Sequence, residues 1–371
     1  MRNTFLTILL SILSTQTFAD SGTKALNVYQ RLTGVPASAD VIEKMKTLFD
    51  QGKHEEAVAI AIEDPYFYSL TLPNWVTTWT SATNSNRDTT NDFVATVIGV
   101  IRDNHPFNQI LFGDHLYTLQ NTENNFAAYS LQNNDHYKVI DEQFIDLKSN
   151  LVHQPQSSIN NIDDSAGVLT TRAFAQSFLN GGTNRRQIVR MFDRFLCRDI
   201  KQLADTSTPD HFVRRDVDRA SGEDFRFKCA GCHGGMDPFS SAFAYFDFSE
   251  GELIYSKGNV AAKYSSNSGV FPEGFVVLNN SWSNLWINGS NSSLGWRGEP
   301  SGTGVKSLGE YFSKSEAFSQ CMAKRTFTHF CLHEPEEEEL DIVNALGKDF
   351  EANNYNMKKL ITKTVLSCVR E

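Results

Sequence analysis

Apolar residues recur every three to four positions over most of this chain, and that spacing predicts helices rather than strands. Residues 26–32 read as a short first helix, ended by Gly34-Val35-Pro36. Ser38 and Asp40 offer N-caps to a second helix, which runs to about Asp50 and stops at Gln51-Gly52. Residues 55–62 make a third, with Ala57, Ile60 and Ala61 on its apolar side. Asp64-Pro65 opens a fourth, rich in aromatics: Tyr66, Phe67, Tyr68, Trp75 and Trp79. The Asn/Ser/Thr cluster at 81–91 reads as a loop, and Phe93, Val97, Val100 and Ile101 mark a helix over residues 93–101.

The pattern changes after a polar stretch at 154–164, which reads as a linker between a helical domain at 20–165 and a second domain at 166–371. Thr183-Asn184 should cap a helix whose apolar positions are Ile188, Phe192 and Phe195, with Cys197 at its end. Residues 201–228 are polar and charged, and residues 229–233 after them read as a turn. Residues 251–309 are rich in Gly, Ser and Asn and carry Trp282, Trp286 and Trp296. They read as loops with a few short strands, 274–278 first among them, and form an insert at about 255–305. Helices follow at 318–331, from Pro335 through Leu346, and at 355–369, the last amphipathic through Met357, Leu360, Ile361, Val365 and Cys368. The expected fold class is therefore mainly α, with two helical domains.

The start of the chain adds a compartment. Met1-Arg2-Asn3 is a basic n-region, residues 5–13 are an apolar core broken by Thr7 and Ser11, and Thr17-Phe18-Ala19 ends in a small residue suited to cleavage after Ala19. Residues 1–19 thus read as a signal peptide, and the protein is expected in the periplasm. No later stretch approaches the roughly 18 apolar residues of a membrane span. Arg2 is the only charge in the leader, so the mature chain keeps 33 of the 34 Lys and Arg against 44 Asp and Glu, a net charge of −11. That balance argues against nucleic acid and anionic lipid, and favours a basic redox partner.

The candidate chemistry is concentrated in Cys229-Ala230-Gly231-Cys232-His233. Two thiols at C-x-x-C spacing can add across the two vinyl groups of one haem, and the adjoining His can bind the iron as proximal ligand. A zinc site would need further ligands, such as a second C-x-x-C, and a thioredoxin-like dithiol would need a βαβ setting. The expected cofactor is one covalently attached haem c, with Cys229 and Cys232 as attachment points and His233 on the iron. Four cysteines remain: Cys197, Cys321, Cys331 and Cys368. They allow three pairings, of which Cys197–Cys321 with Cys331–Cys368 is the one expected, or they are four buried thiols.

The distal side is less defined. Met322, His329 and His333 lie seven and four residues apart and share one stripe if their helix runs that far, so Met322 or His329 is the candidate sixth ligand. Core filling for Met322 and a helix-end position for His329 are the plainer readings. An open position, with ligand binding or peroxide chemistry, is the alternative. Arg214 and Arg215 are the candidate partners of the haem propionates. Glu336-Glu337-Glu338-Glu339 after Pro335 is the first turn of a helix, where acids favour the dipole, and not a metal site.

Several segments also resemble a known group. Ala166-Gly167-Val168-Leu169-Thr170, Arg185-Arg186, Phe195-Leu196-Cys197, the C-x-x-C-H segment with Met236-Asp237-Pro238, and Ala242-Phe243-Ala244-Tyr245-Phe246-Asp247 are similar to the large secreted cytochrome-type proteins abundant in planctomycetes. Residues 315–321 and the final helix with Leu366-Ser367 resemble the closing domain of that group. The resemblance covers residues 166–250 and 306–371, and the Trp-rich insert departs from it. It implies haem c and export, and supplies no substrate. Three functions follow: an exported monohaem c-type cytochrome in electron transfer, a haem enzyme or ligand sensor with an open axial position, or a partner-binding protein in which haem is structural.

Overall fold

The computed structural model describes residues 20–80, 90–120, 126–264 and 270–369. The expected signal segment and most of the 81–91 loop lie outside the described residues. Three helices lead: α1 (Ser21–Thr33), α2 (Ala39–Asp50) and α3 (His54–Ile62). Gly34 ends α1 in the left-handed region at φ 73°, and the Ser38 hydroxyl accepts the Val41 amide to start α2. The expected fourth helix is broken. A π-helical turn at Phe67–Thr71 precedes α4 (Leu72–Val76), and a 3-10 turn at Thr77–Trp79 ends it. Pro73 has no N–H to continue the i→i−4 ladder, so the preceding turn widens.

Helix α5 (Asp92–Arg102) is buried along almost its whole length, with Asn91 accepting the Val94 amide at 3.0 Å. Then come β1 (Leu116–Leu119), α6 (Asp135–Gln143), α7 (Leu147–Asn150), β2 (Leu151–Gln154), α8 (Gln156–Asn160), α9 (Arg172–Phe178) and α10 (Arg186–Phe195). Strands β1 and β2 are antiparallel, with Tyr117 opposite His153. The buried Asp92 carboxylate accepts the amides of Arg172 and Ala173 at 2.6 and 3.0 Å, fixing the start of α9 to α5. The polar stretch at 154–164 is tied down: the Gln156 side chain donates to Gly167 O at 3.1 Å, and Asp164 accepts from the Val305 and Lys306 amides at 2.7 and 2.9 Å. Buried residues on both sides of residue 165 share one hydrophobic core.

The C-x-x-C-H residues, read from sequence as a turn, enter helix α11 (Ala230–Ser240). A hairpin of β3 (Phe246–Ser249) and β4 (Glu252–Tyr255) follows, then a third small sheet of β5 (Ser281–Ser283) and β6 (Ser301–Thr303). Residues 274–278 do not pair as a strand, and Phe275 makes one isolated bridge with Arg214. The two segments still pass close together: the Phe275 amide donates to Val213 O at 2.9 Å and the Phe271 amide to Arg215 O at 2.8 Å, and a Cβ on Gly274 would lie 2.5 Å from the Arg215 Cα. The insert contributes core, since Trp282 and Trp286 are buried.

The chain closes with α12 (Gly304–Ser313), α13 (Glu316–Cys331), α14 (Leu340–Ala352) and α15 (Met357–Cys368). Helix α13 packs on α14 and α15, and α15 also packs on α3. The glutamate run forms a 3-10 turn at Glu337–Glu339 with a reciprocal Glu336/Glu339 capping box, so the α-helix starts at Leu340 and not at Pro335. Two disulfides, Cys197–Cys321 and Cys331–Cys368, have Cα–Cα spans of 5.2 and 5.6 Å and match the expected pairing. The fold is mainly helical, as expected. Among the described residues no helix is long and apolar enough to cross a membrane.

Candidate functional site

A π-helical turn at Phe225–Cys229 delivers the chain into α11. Residues three and four apart on a helix share a face, so Cys229, Cys232 and His233 come together at its first turn. Both motif cysteines are unpaired and partly exposed, whereas the other four are in disulfides. Cys229 and Ala230 rest on a small apolar cluster of Val213, Val217 and Phe225, separate from the main core. Phe227 beside them is 75 % exposed. Burial pushes the Cys232 thiol up, with the Asp199 charge adding to it.

Four residues after His233, Asp237 is fully buried, and its Oδ1 lies 3.1 Å from His233 Nδ1. A carboxylate only accepts hydrogen bonds, so Nδ1 carries a proton, and Nε2 is the nitrogen left to offer a lone pair. Arg185 grips the same carboxylate through Nε and Nη2 at 2.5 and 2.9 Å, and grips Asp216 at 2.6 and 2.7 Å. The Arg214 amide donates to Asp237 at 3.0 Å. Its guanidinium bonds Asn184 and lies 5.5 Å from the Tyr264 ring centroid. Burial opposes ionisation of Asp237. The Arg185 hydrogen bonds, the Arg214 charge and His233 outweigh it and hold the carboxyl far below the usual range.

Helix α11 is held in place by aromatic rings from the insert. Gly235 is required for this: a Cβ there would lie 1.9 Å from Trp286 Cε2. One turn on, Phe239 is surrounded by Phe192, Trp282, Trp296 and Phe312. The opposite side is covered by the segment before the motif, with Asp205 donating its amide to Gly231 O at 3.0 Å. A cleft of about 240 Å³ opens beside the far half of α11, lined by Phe212, Pro238, Phe275, Val277 and Leu278. It does not include the motif residues.

The sequence-predicted residues divide accordingly. Cys229, Cys232 and His233 share one face, and Arg214 stands behind them. Arg214 is buried in the Asp237 network, whereas Arg215 is half-buried; among the described residues Nε of both, and Nη1 of Arg214, have no hydrogen-bond partner. Met322 and His329 are not brought to this face. Met322 is in the core of α13, and His329 stacks on Trp75 at 5.5 Å, where burial lowers its pKa to about 4. Arg185, Asp216, Asp237 and Asn184 were given no role in the site from sequence. The His233–Asp237 spacing of four was the available signal. Asn184 does not cap α10 as expected; its side-chain amide donates to Asp216, and its oxygens accept from Arg185 and Arg214. Among the described residues no three His, Cys, Asp or Glu side chains already converge on a metal ion.

Over residues 299–368 the chain is similar to a family described as a protein of unknown function (DUF1585). That stretch includes α12 to α15, lies outside α11 and is less than half of the chain. No curated protein and no solved structure matches the chain.

Proposed function

We propose that this protein is an exported c-type cytochrome that carries electrons in the periplasm, with one haem held by Cys229 and Cys232 and by His233 on the iron. One observation carries the reading. Of six cysteines, the two in the motif alone stay unpaired, and they share a helix face with an imidazole whose outer nitrogen is already engaged. A bound haem supplies a one-electron couple at its iron. The protein's own residues do the rest. His233 offers Nε2, and Asp237 fixes the ring's tautomer and direction, as carboxylates do behind metal-bound histidines. Arg185 and Arg214 keep Asp237 ionised in a buried place. Val213, Val217, Phe225 and Phe227 provide apolar surface next to the thioether positions. Arg215 is the proposed propionate partner because it is half-buried, whereas the Arg214 guanidinium is closed off beside Asn184 and Tyr264 and contributes charge from behind. The disulfides fit an oxidising compartment. The acidic surface fits a basic redox partner.

The sixth ligand proposed from sequence, Met322 or His329, would have to leave the packing just described. That observation favours a second reading, a haem enzyme or ligand sensor with an open position. The absorption spectrum of the reduced protein, with and without carbon monoxide, separates the two. A carrier with a protein ligand on both faces gives a spectrum that carbon monoxide leaves unchanged or alters only slowly. Immediate carbon monoxide binding supports the open site.

A further inference from the structure

Three of the nine histidines gather away from α11, at the end of the β1–β2 ribbon. We propose that His105, His115 and His153 form a binding site for a late first-row divalent cation, of which zinc is the probe. The register sets two of them: Tyr117 faces His153, so position 115, two residues before Tyr117, lies diagonal to His153 on the same face. The third arrives from the end of α5, where Asn104 at φ 56° turns the chain back and the His105 amide donates to Val100 O at 3.1 Å.

The ring centroids are 4.6 Å apart for His105 and His115, 5.1 Å for His115 and His153, and 5.7 Å for His105 and His153. Imidazoles around one ion, with metal–nitrogen bonds of about 2.0–2.1 Å, have centroids roughly 5 Å apart. His115 Nδ1 and His153 Nε2 already face each other at 2.9 Å, a separation that must open by only a few tenths of an ångström. His115 Nε2 lies 2.8 Å from Gln109 Oε1. That oxygen accepts, so Nε2 carries the proton and the Nδ1 lone pair points at His153. An outer nitrogen tied to a carbonyl oxygen is the arrangement that orients metal-bound histidines.

An ion would take the place of the proton on His153 Nε2, which passes to Nδ1 of the same ring, so both imidazoles bind as neutral ligands. His105 has not converged with the pair; its ring is half-buried and makes no hydrogen bond among the described residues, so side-chain rotation completes the site. Gly113 leaves room for the central ring, since a Cβ there would lie 2.4 Å from His115 Cδ2. Asp103 and Asp114 stand close enough to favour a cation. Both are already bonded, Asp103 to Arg102 and Tyr117 and Asp114 to Ser157 and Ser165, so they act through charge and not as ligands. An all-imidazole set selects zinc, copper or nickel over magnesium or calcium. None of this depends on the haem reading.

The test is zinc binding to the full chain with free thiols alkylated, read by calorimetry and by elemental analysis after dialysis. One zinc per chain is expected, with affinity reduced at least roughly tenfold in His153→Ala and in His105→Gln, and unchanged in the control His333→Ala. Both substituted positions are at least partly exposed, and an unchanged circular dichroism spectrum without zinc shows that each variant folds. Absence of bound zinc, or binding that either substitution leaves intact, overturns the proposal.

Discussion

His233 Nδ1 and Asp237 Oδ1 are 3.1 Å apart on consecutive turns of α11, and the carboxylate of that pair is closed off from solvent. Two arginines depend on it. Removing the charge leaves Arg214 with Asp216 alone, at 3.9 Å, and half of the Arg185 fork without a counter-ion in a buried place. Asp237→Asn, which conserves shape, should therefore cost about 3–5 kcal/mol in urea denaturation, the usual penalty for breaking a buried ion pair. A loss under about 1 kcal/mol would show that solvent reaches the network.

Acid should unfold the protein in two stages. Burial lowers the pKa of His329 from 6.5 to about 4, and burial with the neighbouring His105 and His153 lowers that of His115 to about 4. The unfolded chain binds these protons first, so their stability is fully present above pH 6.5 and is lost as pH falls towards 4. Asp237 and Asp216 are held below the ordinary carboxylate range by their arginines, against the cost of burial. Their stability is present above about pH 4 and is lost below it. His329→Phe keeps a ring against Trp75 and should flatten the dependence between pH 4 and 6.5 without changing the lower stage. Denaturation midpoints across that range measure it, and an unaltered slope contradicts the assignment.

Denatured, unreduced protein without haem should show two alkylatable thiols, Cys229 and Cys232, and reduction should release four more. Loop-closure entropy ranks the bridges: Cys197–Cys321 spans 124 residues and Cys331–Cys368 spans 37. Their removal should cost roughly 5 and 4 kcal/mol respectively. Melting of the two paired Cys→Ala double variants checks the order.

Gly235→Ala drives a methyl group into Trp286. Because both partners are buried between α11 and the insert, the expected cost is about 2–3 kcal/mol, at the upper end for overpacking. Tryptophan fluorescence should shift with it. Unchanged fluorescence and stability would mean that the insert is not clamped on α11.

The helices were legible where apolar residues recur at helical spacing: α2, α5, α13 and α15 lie within a few residues of their sequence-based positions. The misreadings share a cause, contacts between distant segments. Phe275 looked like a strand residue, yet its pairing with residues 213–215 stops at one bridge, where Gly274 allows the close approach. The C-x-x-C-H residues looked like a turn because Gly231, Gly234, Gly235 and Pro238 are poor helix formers, and tertiary cover from Trp286 and residues 204–209 overrides that preference. In the site, the thiols and His233 are explicit in the motif. Arg185 and Asp216 are distant in sequence, and only folding reveals that they serve Asp237.

Covalent haem attachment is the most direct test of the central claim. Wild-type protein matured in a periplasm with haem-attachment machinery should keep haem stain on its band after denaturing electrophoresis, at one haem per chain by quantitative spectroscopy. Cys229→Ala with Cys232→Ala should abolish the stain, and His233→Ala should impair attachment or leave a grossly altered spectrum. Folded wild-type protein from the same cells with no stain, and with both thiols open to alkylation, would contradict it.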